Sequence, residues 1–200
     1  SVPKGQRYWR AQLGSDDEPC CDLAGQIVDY RAVAYPAMRM KPLPEKACEG
    51  RVNPKGIPYL YLSTDKKTAI SEVRPWVGSY VTVAEFETRK SLELVDCSRC
   101  EIDPLTKTAS DLDMLFKFKP PAPEETRKIV WRWIDLAFSD PVGRDDSTAG
   151  YVPTQIIAES FKVNGFDGVK YKSLFNGGNN LALFDTDSAE QVGEGEVVQV

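Results

Sequence analysis

The chain has 200 residues, 42% of them apolar and 10% aromatic, with a net charge of −5 and no histidine. That length suits one large domain or two small ones, and the composition is rich enough for a packed core. The acidic balance gives no electrostatic reason to expect nucleic-acid binding, no apolar run is long enough for a bilayer, and histidine-dependent triads and His-ligated zinc are excluded.

Residues 6–13, QRYWRAQL, alternate as an opening strand that carries Arg10. Residues 14–48 are dense in turn and breaker residues, in GSDDEPCCDLAG and MKPLPEKACEG, and are expected to form an irregular loop or lid. IPYLYLS, 57–63, reads as a strand in which Leu60 and Leu62 alternate with Tyr59 and Tyr61. Asp65 suits the N-cap of a helix that runs to about Val73 and stops before Pro75. Strands are expected over 79–87 and 92–97, paired as a hairpin. A proline start, acids in the first turn and a stripe of Ile129, Trp133 and Leu136 predict a helix over 122–139. A second helix is expected over 154–165, stopped at Asn164-Gly165. Strands follow at 168–171, 180–185 and 196–200. This order predicts a single α+β domain over 1–200, with a mixed, mostly antiparallel β core and flanking helices.

Five cysteines stand at 20, 21, 48, 97 and 100. Cys97-Ser-Arg-Cys100 has the spacing of a metal-ligand or redox pair, but there is no second such pair. Ordinary reduced thiols, structural zinc drawing on Cys20, Cys21 or Cys48, and a disulfide stay open as readings.

With no histidine, acid or base work falls to Asp, Glu, Tyr, Lys or Cys. Arg51 follows Gly50 in a loop that continues through Asn53-Pro54-Lys55-Gly56, where a guanidinium can grip a carboxylate or phosphate; a solvated surface arginine is the alternative. Tyr61 near a strand end offers a ring to stack on a flat ligand, or simply a core side chain. Glu72 shares a helix face with Ala69, so inward packing of Ala69 draws the carboxylate toward the sheet, where it needs a partner such as Arg10, Arg51 or Arg74. Otherwise it is an exposed helix glutamate. The loop YKSLFNGGNN supplies Ser173, flexible glycines and Asn180. The helix entered at Thr154-Gln155 can receive an anion at its N-terminus. Together these suit a phosphate-bearing ligand whose chemistry needs charge stabilisation more than a strong base.

In order along the chain, these motifs resemble the RES domain family, named for its arginine, glutamate and serine. Arg10 in YWR resembles the opening arginine. GRVNPKGIPYLYL, with Arg51 and Asn53, resembles the family's loop and following strand. Tyr61, Ala69 and Glu72 keep the tyrosine–alanine–glutamate spacing. YVPTQIIAESFKVNGFDGVKYKS, with Gln155, resembles the helix, the G-x-DG turn and the serine, Ser173, and NLALF resembles the asparagine-led last strand. YKSL offers one serine where a second is commoner, and Cys97 and Cys100 are not part of the pattern.

The resemblance implies a fold similar to ADP-ribosyltransferases. It implies a bacterial, cytoplasmic toxin that consumes NAD+ as substrate, without metal or cofactor, by hydrolysis or phosphorolysis of the nicotinamide–ribose bond. A cognate antitoxin protein is the implied partner. The implied catalytic residues are Glu72, Arg51, Tyr61 and Ser173, and the implied substrate-binding residues are Arg10, Asn53, Arg74, Gln155 and Asn180. A protein ADP-ribosyltransferase and a non-catalytic nucleotide-binding module are the alternatives. The acceptor (water, phosphate or protein) and any homo-oligomer stay open.

Overall fold

A computed structural model of the chain describes residues 1–99, 122–140 and 148–200. The strands are β1 (Arg7–Leu13), β2 (Asp16–Cys21), β3 (Ile27–Val33), β4 (Leu60–Ser63), β5 (Tyr80–Thr88), β6 (Leu94–Asp96), β7 (Gly168–Lys172), β8 (Asn179–Leu183) and β9 (Ala189–Gln199). The α-helices are α1 (Ala37–Met40), α2 (Lys66–Glu72), α3 (Pro123–Ser139) and α4 (Val152–Val163). No described helix is long and apolar enough to cross a membrane.

Seven strands form one sheet in the order β6-β7-β8-β4-β1-β5-β9. All neighbours are antiparallel except β6 and β7. The domain is therefore α+β with a mixed, mostly antiparallel sheet. Alternation drives the centre. Leu60, Leu62, Leu181 and Leu183 point to one face, where they meet Tyr8, Met40 and Phe86. Tyr59, Ala182 and Phe184 point to the other, against Phe138 of α3 and Ala158 of α4. Strands buried on both faces read as nearly continuous apolar runs, as IPYLYL and NLALF do. Each fully buried leucine here contributes ~1.5–3 kcal/mol.

Asp65 caps α2 by accepting from the Thr68 backbone N–H at 2.8 Å and from its hydroxyl at 2.7 Å. Thr68 and Ala69 are buried beneath the helix, so Glu72 ends α2 close to the sheet. At Gly168 any Cβ would run into the Ala182 carbonyl of β8, so the close approach of β7 to β8 requires a residue without one.

Three expectations change. The stretch 14–48, expected to be an irregular loop or lid, contains an antiparallel hairpin, β2–β3, in which Glu18 pairs with Arg31 and Pro19 with Tyr30. Most of its residues are exposed, so burial selects no apolar alternation for a reader to find. Segment 92–97 does not form a hairpin with 79–87. β5 has β1 and β9 on its two edges, so β6 lies parallel to β7 at the far end of the sheet. The last strand begins at Ala189 rather than 196, because its glycine- and glutamate-rich first half pairs with β5 through backbone bonds.

Candidate active site

The end of α2 delivers Glu72 to the tips of β4, β7 and β8. Its Oε1 accepts from Ser173 Oγ at 2.7 Å and from Asn180 Nδ2 at 2.6 Å. Asn180 Oδ1 in turn accepts from Ser63 Oγ at 2.7 Å. Ser63, Ser173 and Asn180 are buried, while Glu72 is half-buried. Among the described residues Oε2 accepts no hydrogen bond. One carboxylate oxygen is thus fixed by a short relay of neutral donors. Such charge-assisted bonds are about twice as strong as neutral ones, and they fix the position of the negative charge.

Glu72 lines a cleft of about 890 Å³ together with Arg10, Arg51, Tyr61, Arg74 and Asn180. A smaller chamber of about 410 Å³, with Arg39 and Lys41 in its wall, adjoins it and shares Arg10 and Tyr61. Arg10 crosses the base of the cleft, donating from Nε to the Met40 carbonyl at 2.6 Å and from a terminal nitrogen to the Tyr61 carbonyl at 2.9 Å. Burial lowers its pKa to about 10, so it stays cationic at neutral pH. Arg51 donates to the Phe138 carbonyl at the end of α3 and lies 5.2 Å from the centre of the Tyr171 ring. Arg74 stands just past α2 at φ 47°, a conformation seldom adopted by residues with a Cβ, with its guanidinium 4.9 Å from the Phe175 ring centre.

The Tyr61 hydroxyl donates to Asn53 Oδ1 at 2.7 Å and accepts from the Val52 N–H at 3.1 Å. Burial pushes the phenols of Tyr61 and Tyr171 upward, so both stay neutral. Gly50 packs so closely here that a Cβ would lie 2.7 Å from Asn53 Oδ1 and 2.8 Å from the Tyr61 hydroxyl.

The nine residues singled out from the sequence divide in two. Arg10, Arg51, Tyr61, Glu72, Arg74 and Asn180 line the cleft, and Ser173 reaches it through Glu72. Asn53 and Gln155 do not line it. Asn53 Nδ2 donates to the carbonyls of Cys48, Pro54 and Ile57, and Gln155 Nε2 donates to those of Gly50 and Asn53. They tie the Arg51 loop to itself and to α4. Thr154, where an anion site was expected, spends its hydroxyl on the carbonyls of Arg51 and Tyr151. Its preceding loop over 141–147 lies outside the described residues, as does Cys100. The Cys97–Cys100 pairing therefore lies outside them too, and Cys20 and Cys21 are free thiols.

Sequence reasoning passed over Ser63, Tyr171 and Trp76. Ser63 orients Asn180, and Tyr171 and Trp76 line the cleft. Tyr171 had a signal, because it precedes Ser173 by two residues, the strand period that returns to the same face. Ser63 had none, since a serine at a strand end is also an ordinary turn residue.

No curated protein matches the chain. Among solved structures it is similar to a chain of the crystal structure of the M. tuberculosis MbcT-MbcA toxin-antitoxin complex. The TM-score is 0.48 at 10% identity, over 100% of this chain and 86% of that one. The family model described as RES domain matches residues 26–198, which include Arg51, Glu72 and Ser173. The chain therefore belongs to the RES domain family.

Proposed function

We propose that this RES-family protein is a bacterial cytoplasmic toxin that cleaves the nicotinamide–ribose bond of NAD+ and is held in check by a cognate antitoxin. The observation that carries the reading is the Glu72 carboxylate, held by Ser173 and Asn180 on the wall of a cleft of about 890 Å³. That volume lies in the range of sites for ligands of this size, ~300–1,000 Å³.

The chemistry follows from the charges. When the bond between the ribose C1′ and the nicotinamide nitrogen breaks, its electron pair passes to nicotinamide and neutralises the cationic ring. Positive charge develops on the ribose, as in glycoside cleavage. A fixed carboxylate beside the sugar stabilises that charge as it forms. Water then adds at C1′ and releases a proton, or phosphate adds directly. The leaving group needs no protonation, which suits a site whose tyrosines are held neutral and which has no histidine. Arg10, Arg51 and Arg74 provide positive charge for the diphosphate.

Mass analysis of products from purified protein and NAD+, with and without phosphate, tests this reading. Nicotinamide with ADP-ribose, or with its 1-phosphate, is expected, and label on a protein would favour the ADP-ribosyltransferase reading. In Glu72→Gln the fold should persist and kcat should fall about 10²–10³-fold. Retention of more than about a tenth of kcat would remove Glu72 from this role.

A further inference from the structure

The cleft also carries an apolar lining that the cleavage chemistry does not use. Trp9, Leu13, Val73 and Trp76 contribute to it. Trp76 is 73% exposed, the most exposed of the tryptophans. It lies four residues beyond Glu72, across the turn in which Arg74 takes its left-handed φ of 47°. That turn closes with the Arg74 N–H donating to the Ser71 carbonyl at 3.1 Å, and a second turn follows in which the Ser79 N–H donates to the Trp76 carbonyl at 2.9 Å. Strain of this kind persists where the surroundings enforce it, and it clusters at ligand sites.

We propose that this lining is the subsite for the second base of the dinucleotide, with the adenine ring stacked on the Trp76 indole. The identity of that base rests on the NAD+ reading above. Once the nicotinamide ribose is placed at Glu72, the ligand has one flat, weakly polar group left to cover, and the cleft has one exposed indole. Stacking of a base on an aromatic side chain needs no hydrogen-bond partners, which fits a lining of leucine, valine and tryptophan. Arg74, between Glu72 and Trp76 in the chain, is placed for the linking phosphates.

Calorimetric titration with AMP, which carries adenine and a phosphate but no scissile bond, tests the subsite without catalysis. Wild type and Trp76→Phe should bind alike, and Trp76→Ala should bind about tenfold more weakly at unchanged melting temperature. Equal AMP affinity in wild type and Trp76→Ala, or no AMP binding by wild type, overturns the proposal. Turnover adds a second arm. In Trp76→Ala, KM for NAD+ should rise about tenfold with kcat little changed, while KM for nicotinamide mononucleotide should stay the same. An equal rise for both substrates would put Trp76 against the nicotinamide and overturn the assignment. Trp76-dependent AMP binding without NAD+ consumption would sink the cleavage reading and leave the base subsite standing.

Discussion

In the polar wall of the cleft almost every functional group is held by another. Ser63 fixes Asn180, Asn180 and Ser173 fix Glu72, and Asn53 fixes Tyr61. The β2–β3 hairpin is built in the opposite way. Its side chains mostly face solvent, and its cross-strand ion pair between Arg31 and Glu18 sits at the surface. The two regions differ in what a lost contact leaves behind. In the wall it leaves a buried polar atom without a partner, a cost of about 1–3 kcal/mol. In the hairpin water replaces the partner. Preorganisation of a charge therefore belongs to the buried network, and the hairpin is free to vary.

The largest expected effect lies behind the wall. Asp135 of α3 is 0% exposed and pairs with Lys172 at 3.2 Å, one residue before Ser173. Lys172→Met leaves the Asp135 carboxylate with the Ser139 hydroxyl in place of a cation. Lys172 is itself about a third exposed, so thermal or urea unfolding should show a loss of about 1–3 kcal/mol, the cost of leaving the buried carboxylate short of a partner. The paired variant Asp135→Leu/Lys172→Met should recover most of it, because two apolar side chains can replace a buried pair. Wild-type stability in Lys172→Met would show that the wall does not depend on buried pairing. Next comes Arg51→Lys, which keeps charge but loses the planar group that reaches the Phe138 carbonyl and lies against Tyr171. We expect kcat/KM for NAD+ to fall about tenfold. Unchanged kinetics would return Arg51 to the role of a surface cation.

The same contrast decides what was legible in the sequence. IPYLYL and NLALF announced central strands because both their faces are buried. Asp65 announced α2, since a cap is a local event. Arg51, Tyr61 and Glu72 were legible as a set through their family spacing, yet their partners were not. Nothing in a one-dimensional pattern says that Ser63 reaches Asn180, which lies 117 residues away. The hairpin was hidden for the converse reason: strands exposed on both faces carry no alternation, and Pro19 and the aspartates read as loop. The parallel pairing of β6 with β7 depends on which sheet edges other strands already occupy, so it is a property of the whole sheet.

A smaller effect links the wall to pH. Burial alone would raise the Asp65 carboxyl, but hydrogen bonds from Thr68 and Thr64 outweigh it and hold the pKa below its usual 3.8. A carboxyl lowered on folding stabilises the fold above its unfolded pKa, and this stability is lost as pH falls through the lowered value. Asp65→Ala should cost about 0.5–2 kcal/mol at neutral pH, by loss of the N-cap. The gap between variant and wild type should narrow as the pH drops below 3.8. Asp65→Asn, which keeps one acceptor oxygen but loses the charge and the second acceptor, should fall between Asp65→Ala and wild type at neutral pH, and a gap between Asp65→Ala and wild type that does not change with pH would show that the carboxylate charge is not involved.

The smallest effect is expected in the hairpin. Arg31→Ala removes the cross-strand ion pair with Glu18, but both partners lie at the surface, where water and salt screen the attraction and where holding two long side chains together costs entropy. The base of the hairpin is anchored elsewhere. The Tyr35 N–H donates to Thr82 Oγ1 at 3.3 Å, and the Tyr35 hydroxyl donates to the Leu13 carbonyl at the same distance. The melting temperature of Arg31→Ala should match wild type at both low and high salt. Tyr35→Phe, which removes only the hydroxyl bond to Leu13, gives a reference from the anchored end, and its melting temperature should fall measurably. A drop in Arg31→Ala as large as that in Tyr35→Phe would mean that the hairpin is stabilised along its length and not only at its base. The division between a buried wall that cannot spare a contact and an exposed hairpin that can would then fail.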